Sequence, residues 1–314
     1  MNMKPDLLII VPLYAPTLAV LDAHYTTHKL WLADDKPAFI AKVAGSIEAA
    51  STSGGKGMDA ALINALPKLK IIACFGVGVD AIDVAAANAR GIKVTNTPDV
   101  LTEDVADLAL GLLLAAVRRI AQGDRHVREG KWLKGGMALT GTLQNKTLGI
   151  IGMGRIGRAI AKRATAFGMT ICYQGPNRKP DTGYQYFSDP AALAKASDFL
   201  IAACPGGEAT RGIVSRDVIE ALGPEGVFVN IARGSVVDEP ALVDALVSGR
   251  LGGAGLDVFA DEPRVPEALL KLDSVVLQPH QGSATSPTRQ AMGQLVIDNL
   301  SAWFAGKPLV TPVN

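Results

Sequence analysis

A cation, a carboxylic acid and an imidazole stand at three separate places in this chain: Arg233 in NIARG, Glu262 in LDVFADEP and His280 in LQPHQG, each at or just beyond an apolar run. Such runs read as strands of a parallel sheet. Open parallel sheets bind ligands beyond the carboxyl ends of their strands, so three strands would deliver the three groups to one crevice. Together they suit the reduction of a carbonyl beside a carboxylate. That chemistry needs a cation for the carboxylate, a donor on the carbonyl oxygen, and a proton as hydride reaches the carbon. His280 would be acid and base, with Glu262 holding the tautomer of its ring and favouring the charged form. Arg233 would bind the carboxylate and polarise the carbonyl. No metal is expected, because Cys74, Cys172 and Cys204 lack ligand spacing.

A hydride needs a carrier, and the chain offers a place for one. Gly152, Gly154 and Gly157 form GMGRIG directly after the strand-like TLGII and directly before a helical pattern over 155–167, in which Ile156, Ile160, Ala164 and Phe167 share a face. The first glycine permits a tight turn, the second lets a pyrophosphate approach the backbone, and the third lets helix and strand pack closely. The N-terminus of the helix, at Arg155 and Ile156, would then stabilise the phosphates. About twenty residues on, where an acid would hold the ribose 2′-hydroxyl, stands Gln174. Without that charge a 2′-phosphate is not repelled, and Asn177, Arg178 and Lys179 in the next loop could bind it. NADP(H) is therefore the expected cofactor, with NAD(H) as the alternative.

The elements that must position these groups follow from pattern. At 314 residues, the chain has the length of about two domains of roughly 150 residues each. DLLIIV, KIIACF and KVTNT read as strands with helices DAALINALPKL and DVAAANARG among them. A second series follows, with TLGIIG, MTICYQ, FLIAAC, VFVNIA, GGAGLDVF and SVVLQ as strands. The expected fold is α/β, with two doubly wound Rossmann-like domains of parallel sheet and a cleft between them. Residues 1–99 with 284–314 would form a discontinuous substrate-binding domain, and 100–283 the dinucleotide-binding domain. A helix near 103–119, capped by Thr102, would cross between them, with hinges near 100 and 284. The final segment has helical spacing at Met292, Leu295, Val296, Asn299, Leu300 and Trp303 and is expected to pack back on the first domain.

Lys plus Arg number 31 against 30 for Asp plus Glu, so no net field favours nucleic acid or an anionic membrane. The longest apolar stretch, 108–117, is about half of what a membrane span requires. Three scattered cysteines in apolar settings and no cleavable leader pattern fit a reducing cytoplasm.

GMGRIG, NIARGSVVDEPALVDAL, GAGLDVFADEP and LQPHQGSAT, in that order and spacing over nearly the whole chain, resemble the D-isomer-specific 2-hydroxyacid dehydrogenases. The resemblance implies catalytic roles for Arg233, Glu262 and His280, and a small 2-oxoacid as substrate. It also implies that the turn GVGVD binds the substrate carboxylate through Val77, Gly78 and Val79, whose amides would do the binding. Arg233, His280 and Ser283 would meet the substrate as well, although Ser283 is equally placed to be a helix N-cap or turn residue. Cys204, Pro205, Thr210 and Ile231 are further positions expected along the nucleotide. Asp257 would meet the nicotinamide carboxamide or serve as a structural strand-end residue. Glyoxylate, hydroxypyruvate and hydroxyphenylpyruvate reductases are similar in QGSAT and in lacking an acid at Gln174. Their loop often has Ser or Asn followed at once by Arg, whereas here Gly175, Pro176 and Asn177 precede Arg178. The segment about 120–145 resembles the dimer arm of the family and implies a homodimer, with Trp132 either reaching the partner's site or anchoring the arm by burial.

Two other readings stand beside this one: an NAD-dependent dehydrogenase of phosphoglycerate, lactate or an aromatic oxoacid, and a noncatalytic, dinucleotide-sensing module like the corepressors that share the fold. The missing acid at Gln174 counts against the first. Glu262 counts against formate dehydrogenase, which carries Gln at that position.

Overall fold

A computed structural model describes residues 4–314. The described residues divide into two compact units, 4–101 with 284–314 and 102–283.

The first unit holds strands β1 (Asp6–Ile9), β2 (Thr26–Lys29), β3 (Ala49–Ser53), β4 (Ile71–Phe75) and β5 (Lys93–Thr95), with helices α1 (Ala15–His24), α2 (Lys36–Val43), α3 (Ala60–Ala65) and α4 (Val84–Ala89) in the crossovers. The strands form one parallel sheet in the order β2-β1-β3-β4-β5. Helices cover both faces of such a sheet, so β1 and β4 are almost wholly apolar and buried. Asp35, Asp59 and Asp83 each accept an N–H in the first turn of α2, α3 and α4.

Two strands had no apolar signature. β2, TTHK, is an edge strand whose His28 and Lys29 pair with Asp6 at 2.5 Å and Asp22 at 2.8 Å. Polar side chains on an edge discourage pairing with another chain. β3, AASTS, is buried, with Ser51 donating to the Ala73 carbonyl (3.1 Å) and Thr52 to that of Gly57 (2.7 Å).

The second unit begins with α5 (Thr102–Val117) and α6 (Ile120–Arg128). It continues through β6 (Thr147–Ile151), α7 (Arg155–Ala166), β7 (Thr170–Gln174), β8 (Gln185–Phe187), α8 (Pro190–Lys195), β9 (Phe199–Ala202), α9 (Arg216–Leu222), β10 (Val227–Asn230), α10 (Glu239–Val247), β11 (Gly253–Leu256), α11 (Glu267–Leu270) and β12 (Val275–Leu277). Its parallel sheet runs β12-β11-β10-β9-β6-β7-β8. The order reverses between β6 and β9, which is where such sheets open a binding crevice. α5 belongs wholly to this unit instead of crossing between domains. Thr102 is its first helical residue, and it packs on α7, β10 and β11. Arg163 of α7 pairs with Glu103 (2.7 Å) and Asp107 (2.5 Å) on α5. On α7, Ile160 and Ala164 are buried as the spacing predicts, whereas Phe167 follows the last turn and is exposed.

The last helix, α12 (Ser286–Phe304), belongs to the first unit and packs on α1 and β4. Asn299 is buried on its packing face. Its oxygen accepts the N–H groups of Val310 and Thr311 (both 3.0 Å), and its nitrogen donates to Leu295 O (2.7 Å) and Thr311 Oγ1 (2.8 Å). With every site satisfied, a polar residue fits an otherwise apolar stripe.

Asp198, before β9, ties down the start of β6 by accepting from Lys146 Nζ and the Thr147 N–H, both at 2.8 Å. Burial acts to raise its carboxyl pKa, but Lys146 and the Thr147 N–H outweigh this and hold it below the usual carboxylate range. A lowered pKa in the fold adds stability that is present above the unfolded value and is lost as pH falls through the folded one. Asp198→Asn should therefore cost about 1 kcal/mol or less at neutral pH, given the solvent screening of a half-exposed pair. In urea titrations the difference from wild type should vanish in acid; a difference independent of pH would mean that charge plays no part.

Candidate active site

The carboxyl edge of the second sheet carries the residues singled out in the sequence. GMGRIG follows β6, and Gly152 donates its N–H to the carbonyl of Gln174 at 2.8 Å. A Cβ on Gly152 would lie 2.7 Å from backbone atoms of Cys204, and the φ of +98° there is one that side chains rarely adopt. A Cβ on Gly157 would lie 2.1 Å from the Gly152 carbonyl oxygen. Glycine at both positions lets the strand β6, the turn after β9 and helix α7 converge. A Cβ on Gly154 would meet nothing within 4 Å. Open space over the backbone at the N-terminus of α7 is the cradle a pyrophosphate requires, so the turn fits a dinucleotide.

Around this turn, Gln174 ends β7 and is buried, its amide donating to the Ser188 carbonyl at 3.4 Å. Pro176, Asn177 and Arg178 follow as exposed residues. Cys204 and Pro205 follow β9, and Ile231 follows β10. Burial pushes the Cys204 thiol up to about 11, so it stays protonated near neutrality. Thr210 gives its hydroxyl to the Pro205 carbonyl (2.7 Å) and so closes the loop after β9.

At the other end of the same edge, β10, β11 and β12 lead to Arg233, Glu262 and His280. His280 Nδ1 lies 2.8 Å from Glu262 Oε2, while Glu262 Oε1 accepts the Phe259 N–H at 3.2 Å. The second ring nitrogen, Nε2, is the one left for a ligand. Burial acts to raise the Glu262 carboxyl, but the hydrogen bond and charge of His280, the Phe259 N–H and the charge of Arg233 together hold it below its ordinary value. Glu262 is thus an anion within the electrostatic reach of His280 and Arg233.

Arg233 is presented by a turn that Asn230 builds. Its buried amide donates to the Arg233 carbonyl (2.9 Å) and accepts from the Ala232 N–H (3.0 Å). Gly234 packs so closely under the next loop that a Cβ there would lie 2.0 Å from the Phe259 carbonyl carbon. Glu239 accepts the Ala260 N–H at 2.9 Å. Asn230 and Glu239 went unnoticed in the sequence; an Asn at a strand end and an acid in the first turn of a helix were their only signals.

Asp257 follows β11 with 1% of its surface exposed. Its carbonyl accepts the His280 N–H (2.9 Å), and its two carboxylate oxygens accept those of Gln281 (2.6 Å) and Gly282 (2.9 Å). Of the two expectations for Asp257, the structural one is what this geometry supplies. His280 has φ +55°, a left-handed conformation that costs a non-glycine residue about 1–2 kcal/mol, and three hydrogen bonds to Asp257 hold it there. Burial pushes the Asp257 carboxyl above the usual value, and the two N–H groups offset part of that rise. Ser283 is a turn residue; Thr285 is the N-cap of α12.

In the first unit, the turn after β4 carries Val77, Gly78 and Val79. All its carbonyls face inward: that of Gly76 accepts from Thr97 N (2.9 Å), that of Val77 from Asn96 Nδ2 (2.8 Å), that of Gly78 from Cys74 Sγ (3.6 Å) and that of Val79 from Ile82 N (2.9 Å). Among the described residues, the N–H groups of Val77, Gly78 and Val79 have no partner. A turn with its acceptors filled and its donors open favours an anion.

Residues 110–282 match the NAD-binding domain of the D-isomer specific 2-hydroxyacid dehydrogenases. The chain belongs to that family. Within it, the chain falls in the glyoxylate/hydroxypyruvate reductase subgroup. It is 52% identical to hydroxyphenylpyruvate reductase of Plectranthus scutellarioides and 51% identical to glyoxylate/hydroxypyruvate reductase A of Arabidopsis thaliana, each over 93% of this chain and 94% of the relative. A solved structure of NADPH-dependent glyoxylate/hydroxypyruvate reductase from Sinorhizobium meliloti, in complex with NADP and malonate, superposes with a TM-score of 0.91 at 43% identity, covering 99% of this chain and 97% of that one. The protein is therefore an oxidoreductase, an NAD(P)-dependent 2-hydroxyacid dehydrogenase that reduces a small 2-oxoacid.

Asp257→Ala removes the acceptor of one buried and one part-buried backbone N–H, which should cost about 2–4 kcal/mol and lower turnover by releasing the turn that carries His280. Urea unfolding alongside steady-state kinetics would show both; wild-type stability would mean that the turn is held by other contacts.

Proposed function

We propose that this enzyme uses NADPH to reduce a 2-oxoacid of the glyoxylate and hydroxypyruvate class to the D-2-hydroxyacid, with Arg233, Glu262 and His280 as catalytic residues. The observation that carries the reading is the 2.8 Å contact of His280 Nδ1 with an anionic Glu262 beside Arg233. It orients the ring so that Nε2 can serve the substrate. When bound, the nicotinamide supplies hydride to the carbonyl carbon. His280 Nε2 hydrogen-bonds the carbonyl oxygen and gives it a proton as negative charge develops there. Glu262 stabilises the imidazolium before transfer and keeps the tautomer afterwards. Arg233 binds the carboxylate and draws electron density from the carbonyl. The open N–H groups of Val77, Gly78 and Val79 support assigning that turn to the substrate carboxylate.

The preference for NADPH rests on the uncharged Gln174 and on exposed Asn177 and Arg178. The named activity of the Sinorhizobium relative agrees with it. A homodimer is supported by the segment 120–145. There Trp132 is 67% exposed, Leu133 94% and Leu139 99%. Trp132 is thus not buried by its own chain. Three large apolar side chains left in water on one short segment favour a covering partner, here a second copy. Charging the arm with Leu133→Glu and Leu139→Glu should halve the mass seen by light scattering.

His280→Ala should lower kcat about 10²–10⁴-fold while NADPH binding, followed by nicotinamide fluorescence, stays near wild type. Rates with NADPH and NADH on glyoxylate, hydroxypyruvate, pyruvate and hydroxyphenylpyruvate test the substrate class. An unchanged kcat in His280→Ala, or silence with all four acids, would overturn the proposal.

A further inference from the structure

The span after β7 that carries Asn177 and Arg178 is tied at both ends by tyrosine hydroxyls. Tyr186 in β8 donates to the Gly175 carbonyl at 3.1 Å, and Tyr173 in β7 accepts the Lys179 N–H at 2.6 Å. The two rings pack with centroids 5.4 Å apart and planes at 52°, and Tyr173 is fully buried. Beyond Lys179, Thr182 closes a turn on the Lys179 carbonyl through its N–H (3.1 Å) and hydroxyl (2.9 Å). Asp181, in that turn, pairs with both terminal nitrogens of Arg158 on α7, at 2.7 and 3.2 Å.

These ties have a common effect. Between Gly175 and Lys179 the backbone can bulge only as far as the two hydroxyls allow, and Pro176, Asn177 and Arg178 form its exposed crown. Asp181 is the single acid between Gly175 and Gly183, and Arg158 neutralises it, so no free carboxylate in this span opposes an anion. A phosphate-binding Arg on an untethered loop would lose backbone freedom on binding. Here that freedom is lost on folding. Phenylalanine would fill the same volume in the sheet, so the hydroxyls are what distinguish these two residues as loop ties.

We propose that Tyr173 and Tyr186 are positioning residues for recognition of the cofactor's 2′-phosphate: their hydroxyls hold the Gly175–Lys179 span in the conformation that presents Asn177 and Arg178 to a phosphate dianion. The proposal rests on the NADPH reading above. It makes discrimination between the two dinucleotides a property of loop geometry as well as of loop charge.

The test is a fluorescence titration with NADPH and with NADH, which differ by the 2′-phosphate alone, on the full-length enzyme and on Tyr173→Phe, Tyr186→Phe, the double variant and Arg178→Ala. Removing both ties should raise the Kd for NADPH about tenfold, on the scale of two hydrogen bonds, and leave that for NADH within about twofold. In kinetics the KM for NADPH should rise while kcat stays unchanged. Equal weakening of both cofactors would overturn the proposal, since the tyrosines would then support the whole site. So would wild-type binding in the double variant while Arg178→Ala loses the NADPH preference, an outcome that leaves the NADPH reading intact. If Arg178→Ala keeps the wild-type ratio, the NADPH reading falls and this proposal with it.

Discussion

The buried carboxylate of Asp257 is the contact on which the geometry of the candidate active site depends. A charged group with 1% exposure is costly unless its oxygens are matched. Two backbone N–H groups, from Gln281 and Gly282, do the matching. In return the chain after β12 reverses in a conformation that His280 would not choose by itself. The hydrogen bonds of Asp257 thus offset both the strain at one residue and the burial of a charge at another. The ring that results meets Glu262 at hydrogen-bonding distance. Glu262 is in turn placed by Phe259, whose loop lies against Gly234, next to Arg233. A chain of short contacts therefore joins the ends of β10, β11 and β12.

The other half of that sheet edge is governed by its strand order. Because β6 lies between β7 and β9, the connections leaving it diverge, and the backbone at Gly152 must pass within van der Waals reach of Cys204. Close approach is what excludes a side chain there. Openness is what Gly154 provides two residues later. The same short sequence thus meets two opposite steric demands, one from the protein's own backbone and one from the space a dinucleotide needs.

Much of this was legible in the sequence, and the exceptions have physical reasons. Long apolar runs such as TLGII and IIACF announced central strands because both faces of a parallel sheet are buried. TTHK and QYF did not, because edge strands need no such pattern, and AASTS did not, because its buried hydroxyls are satisfied by main-chain carbonyls. Arg233, Glu262 and His280 stood out by residue type and position. The supports of His280 did not: the partners of Asp257 are backbone groups more than twenty residues away, which no side-chain pattern records. The open N–H groups of Val77, Gly78 and Val79 were implied by resemblance, but only the inward carbonyls show why the donors are left over. Phe167 was misplaced because a helical face was continued one residue past the end of its helix.

The first unit is completed by the last residues of the chain. α12 covers α1 and β4, and the N–H of Val313 reaches the carbonyl of Val94 on the edge strand β5. During synthesis from the N-terminus, residues 102–283 leave the ribosome as a full set while the first hundred still lack their closing helix. Domains usually mature in the order in which they are made, whereas the first unit here is closed by residues that follow the whole of the second. The first sheet therefore keeps a bare apolar flank until residues 286–304 have been made.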